Sequence, residues 1–200
     1  MTVAQTLAEI LQDRIFYDES GGGLTLSGGE PLQQFAFVHG LLVACRAEGV
    51  HTALDTCGFA RRDELLAVAS VTGLFLYDIK LMDDRRHRQY TGASNQLILE
   101  NLQALNAVHD NIWVRVPVIP GINDDDANLQ ATAAFVATLS GVRRVTLLPY
   151  HGHGTHKAQR FGKPNRLDAL TPVPQADLER MAGEFRAAGL ATEIGSSGAG

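Results

Sequence analysis

The sequence is poor in cysteine. Its 200 residues contain two, Cys45 and Cys57. Their separation matches neither zinc-ligand spacing nor iron–sulfur-ligand spacing, which excludes a local motif of either kind. Cys45 lies on the apolar face of a predicted helix, where we expect a small core residue. Cys57 lies in a predicted loop.

The sequence also lacks a basic cluster and a long apolar run. The formal net charge is -5, and without a basic patch no nucleic-acid partner is predicted. No apolar run is long enough to span a bilayer, and the first residues have the pattern of an amphipathic helix instead of a signal peptide. We therefore expect a soluble, cytoplasmic protein with no membrane partner.

The composition is sufficient for one full-sized domain. Hydrophobic residues make up 45% of the chain, which supports a sizeable core. No linker or repeat interrupts the pattern, so we expect one domain over residues 1–194. Residues 195–200 are small and predict a disordered tail.

Strands and helices alternate regularly along the sequence. Short connections between them predict parallel βα units and an α/β fold. An open doubly wound sheet and a (β/α) barrel both fit this alternation. Two segments are predicted to be irregular. One is a polar connection over residues 13–23, and the other is a short polar segment that contains His87 and Tyr90 and ends in a turn over residues 90–92. The predicted strands cover residues 24–26, 50–56, 74–80, 111–118, 142–150 and 190–194.

A glycine turn follows the first predicted strand. Gly28 and Gly29 let the backbone turn sharply and approach a ligand, Glu30 follows, and Pro31 suits the first turn of a helix. A carboxylate beside bare backbone is a good site for an amine. The alternative is a plain βα turn with a surface glutamate.

The predicted strands carry polar side chains toward their carboxyl ends. Functional groups of α/β barrels cluster at the carboxyl ends of the strands, so we predict one shared ligand site. Its acids and cations suit a zwitterionic amino-acid group, whereas the alternative is a set of surface charges and structural ion pairs. The candidates are Glu30, Asp55, Thr56, Asp78, Lys80, Arg115 and His151.

Two further clusters have weaker signals. His151, His153 and His156 permit a metal site, although their spacing is not diagnostic. Asp124, Asp125 and Asp126 begin a predicted helix, where the positive end of the helix dipole is a sufficient explanation.

Several segments carry a family resemblance. Residues 22–31 (GGLTLSGGEP) resemble the glycine-glycine-glutamate motif of radical S-adenosylmethionine (SAM) enzymes. More narrowly, the chain is similar to glycyl radical enzyme activating enzymes, the group that includes pyruvate formate-lyase activating enzyme. The matching segments are residues 51–58 (HTALDTCG), 77–80 (YDIK), 114–121 (VRVPVIPG) and 147–151 (LLPYH), followed by Gly154 and Lys157.

The resemblance implies a partial TIM-like barrel and a radical reaction. In this family SAM binds a [4Fe-4S] cluster and is cleaved reductively to a 5′-deoxyadenosyl radical. The radical takes a hydrogen atom from a glycine of a large partner, a glycyl radical enzyme of the pyruvate formate-lyase type. Flavodoxin or ferredoxin serves as electron donor.

The resemblance also implies residue roles. Gly28, Gly29 and Glu30 hold the methionyl amine of SAM. Lys80 and His151 make further SAM contacts, and Arg115 is the catalytic candidate near the substrate glycine. The set implied to bind a monovalent cation beside the SAM carboxylate is Asp55, Thr56 and Asp78.

The sequence departs from the family at the cluster. The Cys-x-x-x-Cys-x-x-Cys loop and the first barrel strand have no counterpart here, and Cys57 stands where Asn is common, as a variant position and not a cluster ligand. We therefore expect an N-terminally truncated piece with about five βα units, inactive by itself. The alternative is a cluster-less, non-enzymatic module that binds SAM or the partner.

Overall fold

The computed structural model describes residues 1–150 and 171–195. His151, His153, His156 and residues 196–200 of the predicted tail lie outside these ranges. Two short 3-10 turns cover Leu11–Asp13 and Pro31–Gln34. The described helices are α1 Val3–Ile10, α2 Arg14–Ser20, α3 Phe35–Ala47, α4 Arg62–Ala69, α5 Asp84–Thr91, α6 Gln96–Asn106, α7 Asp126–Ala137 and α8 Gln175–Ala187. The strands are β1 Gly23–Leu26, β2 His51–Thr56, β3 Leu74–Asp78, β4 Ile112–Val118, β5 Val142–Pro149 and β6 Thr192–Ile194.

The six strands form one parallel sheet in sequence order, β1-β2-β3-β4-β5-β6. A doubly wound sheet reverses its strand order at a switch point, and this sheet does not. Among the described residues β1 and β6 are the two edges, so the sheet is an open partial barrel. This confirms the predicted α/β fold and decides between the two architectures left open by the sequence.

One face of the sheet packs against the helices. Phe75, Tyr77, Val114 and Val145 are fully buried there in one cluster with residues from α3, α4, α6, α7 and α8. Alternate residues point to the other face, and along β4 these are only half-buried. Because parallel βα crossovers share one hand, the helices collect on one side and leave the other side open.

Two predicted irregular segments are helices, which corrects the sequence-based assignment. None of the residues of α2 is buried, and only His87 of α5 is buried, so neither helix has the apolar periodicity that predicts one. Local hydrogen bonds fix them instead. Asp83 caps α5 by accepting a bond from the backbone of Arg86, 2.7 Å away, and Gly21 ends α2 in the left-handed conformation.

The prediction that Cys45 is a small core residue is confirmed. Thr2 and Gln5 form the capping box of α1, and Cys45 is fully buried beside Ile10 and Leu41. No helix in the described ranges is both long enough and apolar enough to cross a membrane.

Candidate functional site

The predicted site residues that the structure describes lie near the carboxyl ends of β1 to β4. Asp55 and Thr56 end β2, Asp78 ends β3, and Glu30 follows β1. Arg115 is in the middle of β4, yet it pairs in register with Asp78. The structure therefore brings these residues to one edge of the open face, except that His151 lies outside the described residues.

The carboxylate of Glu30 is held by the end of β2. The Thr56 hydroxyl donates to it, 2.7 Å from Oε1 and 2.8 Å from Oε2. The Cys57 backbone N–H donates to Oε2 over 3.0 Å, and Leu32 N–H donates to Oε1 over 3.2 Å. A carboxylate with this many donors has a fixed orientation.

The loop that carries the two glycines is fastened at both ends. At its start, Ser27 donates a hydrogen bond of 2.9 Å to Asp55. At its end, Glu30 accepts the bonds from Thr56. Between these anchors, a Cβ atom built on Gly28 or Gly29 would meet nothing within 4 Å, so the backbone of both glycines faces open space.

A second cluster joins two acids and two cations. Arg115 Nε is 2.9 Å from Oδ1 of Asp78, and the same guanidinium donates to Asp55. The ammonium group of Lys80 is 3.7 Å from Oδ2 of Asp78. Burial raises the pKa of Asp78, while Arg115 and Lys80 act in the opposite direction.

The charges of the site suit a ligand with net positive charge. Glu30, Asp55 and Asp78 carry three negative charges against the two positive charges of Lys80 and Arg115. SAM has a sulfonium, an ammonium and a carboxylate, hence one net positive charge. The exposed backbone of Gly28 and Gly29 beside the fixed Glu30 carboxylate fits the ammonium group.

An iron–sulfur cluster does not fit the cysteines. Cys45 is fully buried in the core, and Cys57 Sγ lies 3.2 Å from Oε2 of Glu30. Across residues 1–150 and 171–195, no three His, Cys, Asp or Glu side chains come together as a metal ion would require. Cluster chemistry is therefore not assigned to the described part of the chain.

Sequence reasoning missed Ser27, and it missed the contact of Cys57 with Glu30. Ser27 follows Leu26, which pairs with Leu54 in the sheet. The β1–β2 register extended by one residue would have placed Ser27 beside Asp55. No sequence signal points to the thiol contact, because it depends on how the loop after β2 turns.

Two of the three acids at the start of α7, which the sequence attributes to the helix dipole, also form ion pairs. Asp125 is 2.7 Å from Arg86, and Asp126 is 2.6 Å from Arg180. Asp125 also caps α7 through Asn128 N–H. These contacts and the helix dipole account for Asp125 and Asp126.

Comparison with known proteins gives consistent matches. The family model of the radical SAM superfamily matches residues 1–131. The chain is 42% identical to the trans-4-hydroxy-L-proline dehydratase activating enzyme of Clostridioides difficile, covering 97% of this chain and 65% of that protein. It is 50% identical to the isethionate sulfite-lyase activating enzyme of Nitratidesulfovibrio vulgaris, covering 89% of this chain and 56% of that protein.

A shorter relative and a solved structure match more of their own length. The pyruvate formate-lyase 1-activating enzyme of Escherichia coli is 39% identical, with 92% of this chain and 75% of that protein covered. The crystal structure of a domain of pyruvate-formate lyase-activating enzyme from Bacteroides vulgatus superposes with a TM-score of 0.74 at 30% identity. That match covers 88% of this chain and 99% of the solved domain. The chain spans 56% to 65% of the first two relatives.

Proposed function

Because the chain belongs to the radical SAM superfamily, among the activating enzymes of glycyl radical enzymes, we propose that it is the SAM-binding part of such an activating enzyme. The observation that carries this proposal is the Gly28–Gly29 backbone, open to solvent beside the fixed carboxylate of Glu30. SAM, when reductively cleaved, supplies the group that removes hydrogen from the partner's glycine.

The described residues bind and orient the SAM methionyl group. Glu30 accepts a hydrogen bond from the ammonium group. Thr56 and Cys57 hold the Glu30 carboxylate, so it does not have to reorient when SAM binds. Lys80, whose ammonium is 3.7 Å from Asp78, is a cation for the SAM carboxylate. His151 is proposed as a further SAM contact from the resemblance alone.

The open face of the sheet is the proposed place for the partner's glycine. Arg115 lies on that face in the middle of β4, and its side chain is half-buried. A guanidinium donates readily to peptide carbonyl oxygens, which supports its proposed position near the substrate glycine.

The partner is proposed as a class. The relatives are named as activating enzymes of trans-4-hydroxy-L-proline dehydratase, isethionate sulfite-lyase and pyruvate formate-lyase. The identities of 42%, 50% and 39% favour none of these decisively. We therefore propose a glycyl radical enzyme as partner, with flavodoxin or ferredoxin as electron donor.

We further propose that the 200-residue chain does not cleave SAM by itself, because its two cysteines do not form a cluster ligand set. The test is anaerobic reconstitution of the purified chain with iron and sulfide, followed by dithionite and SAM. We expect no stoichiometric iron and no 5′-deoxyadenosine. Stoichiometric iron and sulfide, or SAM cleavage, would contradict this part of the proposal.

The non-enzymatic alternative makes a different prediction. A module that retained only the partner surface would be captured by an immobilised glycyl radical enzyme and would give no heat with SAM. Partner binding without SAM binding would favour this form of the alternative, and binding of SAM by the chain would contradict it.

A further inference from the structure

The guanidinium of Arg115 bridges the two acids of the open face. Its Nε and Nη2 atoms lie 2.9 Å and 2.8 Å from Oδ1 of Asp78, and Nη2 also donates to Oδ1 of Asp55. The three side chains are only 19% to 23% exposed. Solvent therefore screens this contact less than it screens a surface ion pair.

The sheet itself holds Arg115 in this place. Arg115 pairs in register with Asp78 on the neighbouring strand, and Asp55 pairs with Leu76 one strand further on. Both carboxylates therefore lie on the same side of β4, and the planar fork of the guanidinium can bond to both at once. No loop has to move to form the contact.

The remaining oxygens of the implied cation ligands also have partners in the chain. Oδ2 of Asp55 accepts a bond from the Ser27 hydroxyl, and Oδ2 of Asp78 faces Lys80. The Thr56 hydroxyl donates to Glu30 and accepts from the backbone N–H of Gly58, 2.8 Å away.

These contacts do not fit a monovalent cation held by Asp55, Thr56 and Asp78. A cation between the two carboxylates would lie against the positive guanidinium and would have to displace it. The Thr56 hydroxyl donates its proton to Glu30, which is not one of these three residues. Its oxygen already accepts a bond from Gly58 N–H, so one of its two acceptor positions is occupied.

We propose that Arg115 is the built-in counter-ion of the Asp55–Asp78 pair and replaces a monovalent cation in this chain. The SAM site is then independent of K⁺ and Na⁺. The inference rests on the proposed function for the identity of the ligand. Its test is made without SAM, so that its failure and a failure of SAM binding are separate results.

The experiment is thermal unfolding of the purified chain in potassium, sodium or tetramethylammonium chloride at equal ionic strength. We expect the wild-type midpoint to agree among the three salts within about 1 °C, because no site distinguishes the cations. In the Arg115→Met variant the two carboxylates lose their counter-ion. Its midpoint should be about 3 °C or more higher in K⁺ or Na⁺ than in tetramethylammonium.

Two controls make the result specific. Arg144→Met removes another guanidinium from the same sheet, one that pairs with Glu193 over 2.8 Å, and it should not create cation dependence. Asp55→Asn added to Arg115→Met should remove the dependence again. In ²³Na NMR the wild-type chain should broaden the sodium line no more than the Asp55→Asn variant does.

The wild-type measurements test the proposal even if the Arg115→Met variant does not fold. Stabilisation of the wild-type chain by K⁺ or Na⁺ over tetramethylammonium would overturn the proposal, as would specific sodium broadening. A folded Arg115→Met variant that responds to neither cation would overturn it as well.

Discussion

Cys57 contacts one oxygen of Glu30 twice. Its backbone N–H and its Sγ lie 3.0 Å and 3.2 Å from Oε2 of that carboxylate. Burial, with a smaller contribution from the charge of Glu30, raises the pKa of the thiol from 9.0 to about 11. The thiol therefore stays protonated at neutral pH and can donate to the carboxylate.

The first prediction concerns the reactivity of this thiol. In the native chain at pH 8, iodoacetamide should modify Cys57 slowly, because the thiolate is the nucleophile. Denaturant should expose both cysteines to rapid reaction, and Cys57→Ser leaves Cys45 as the only thiol. Fast native labelling at Cys57, identified by mass spectrometry, would show that the thiol is ionised.

The raised pKa has a consequence for stability at alkaline pH. The unfolded thiol ionises near pH 9 and the folded thiol near pH 11, so the stabilising contribution is present below pH 9 and is lost as the pH rises to about 11. Urea unfolding from pH 8 to pH 11 should show this loss in the wild-type chain. The loss of stability between pH 8 and pH 11 should be smaller in the Cys57→Ser variant.

The second prediction compares two glycines. A Cβ atom at Gly58 would overlap the hydroxyl of Tyr77, and its φ of +71° disfavours other residues. Gly58→Ala should lower the free energy of unfolding by at least about 2 kcal/mol, measured by urea denaturation. Gly29→Ala meets no atom within 4 Å and should leave stability nearly unchanged.

The same pair separates a packing role from a binding role. Because Gly29 faces the proposed ligand, Gly29→Ala should weaken SAM binding in calorimetric titration although the chain stays folded. Unchanged SAM affinity in Gly29→Ala would argue against close approach of the ligand to this turn.

The third prediction concerns Thr56. Thr56→Val keeps the side-chain shape but removes the hydroxyl that donates to Glu30 and accepts from Gly58 N–H. A buried donor left without an acceptor should cost about 1–3 kcal/mol of stability, and SAM affinity should fall because Glu30 is less firmly oriented. Thr56→Ser should restore both. Normal SAM affinity in the Thr56→Val variant would show that the Thr56 hydroxyl does not contribute to SAM binding.

Much of the fold follows from the sequence because its apolar pattern is strong. Leu129, Ala133 and Val136, for example, recur at helical spacing and are buried. The pattern fails where helices rest on local hydrogen bonds, as at α5, which buries only His87. Strand order was also open in the sequence, because alternation of strands and helices is common to two architectures.

The sequence predicted that the candidate site residues lie close together, but it did not predict their contacts. Glu30 and Lys80 follow strands, Asp55 and Asp78 lie at the ends of strands, and the rule for parallel strands brings all four together. The pairing of their side chains does not follow from this rule. That Arg115 bridges two acids depends on the register of β4 against β3, which the sequence does not specify.

The most direct test of the account is calorimetric titration of SAM into the purified chain, with Glu30→Gln as the paired variant. We predict weak, saturable binding that falls about 10-fold or more in Glu30→Gln, because a hydrogen bond to a charged group contributes about 1.5–3 kcal/mol. Circular dichroism should confirm that the variant is folded. Absence of binding at millimolar SAM, or equal affinity in a folded Glu30→Gln chain, would contradict the assignment of this glycine turn to the SAM amine.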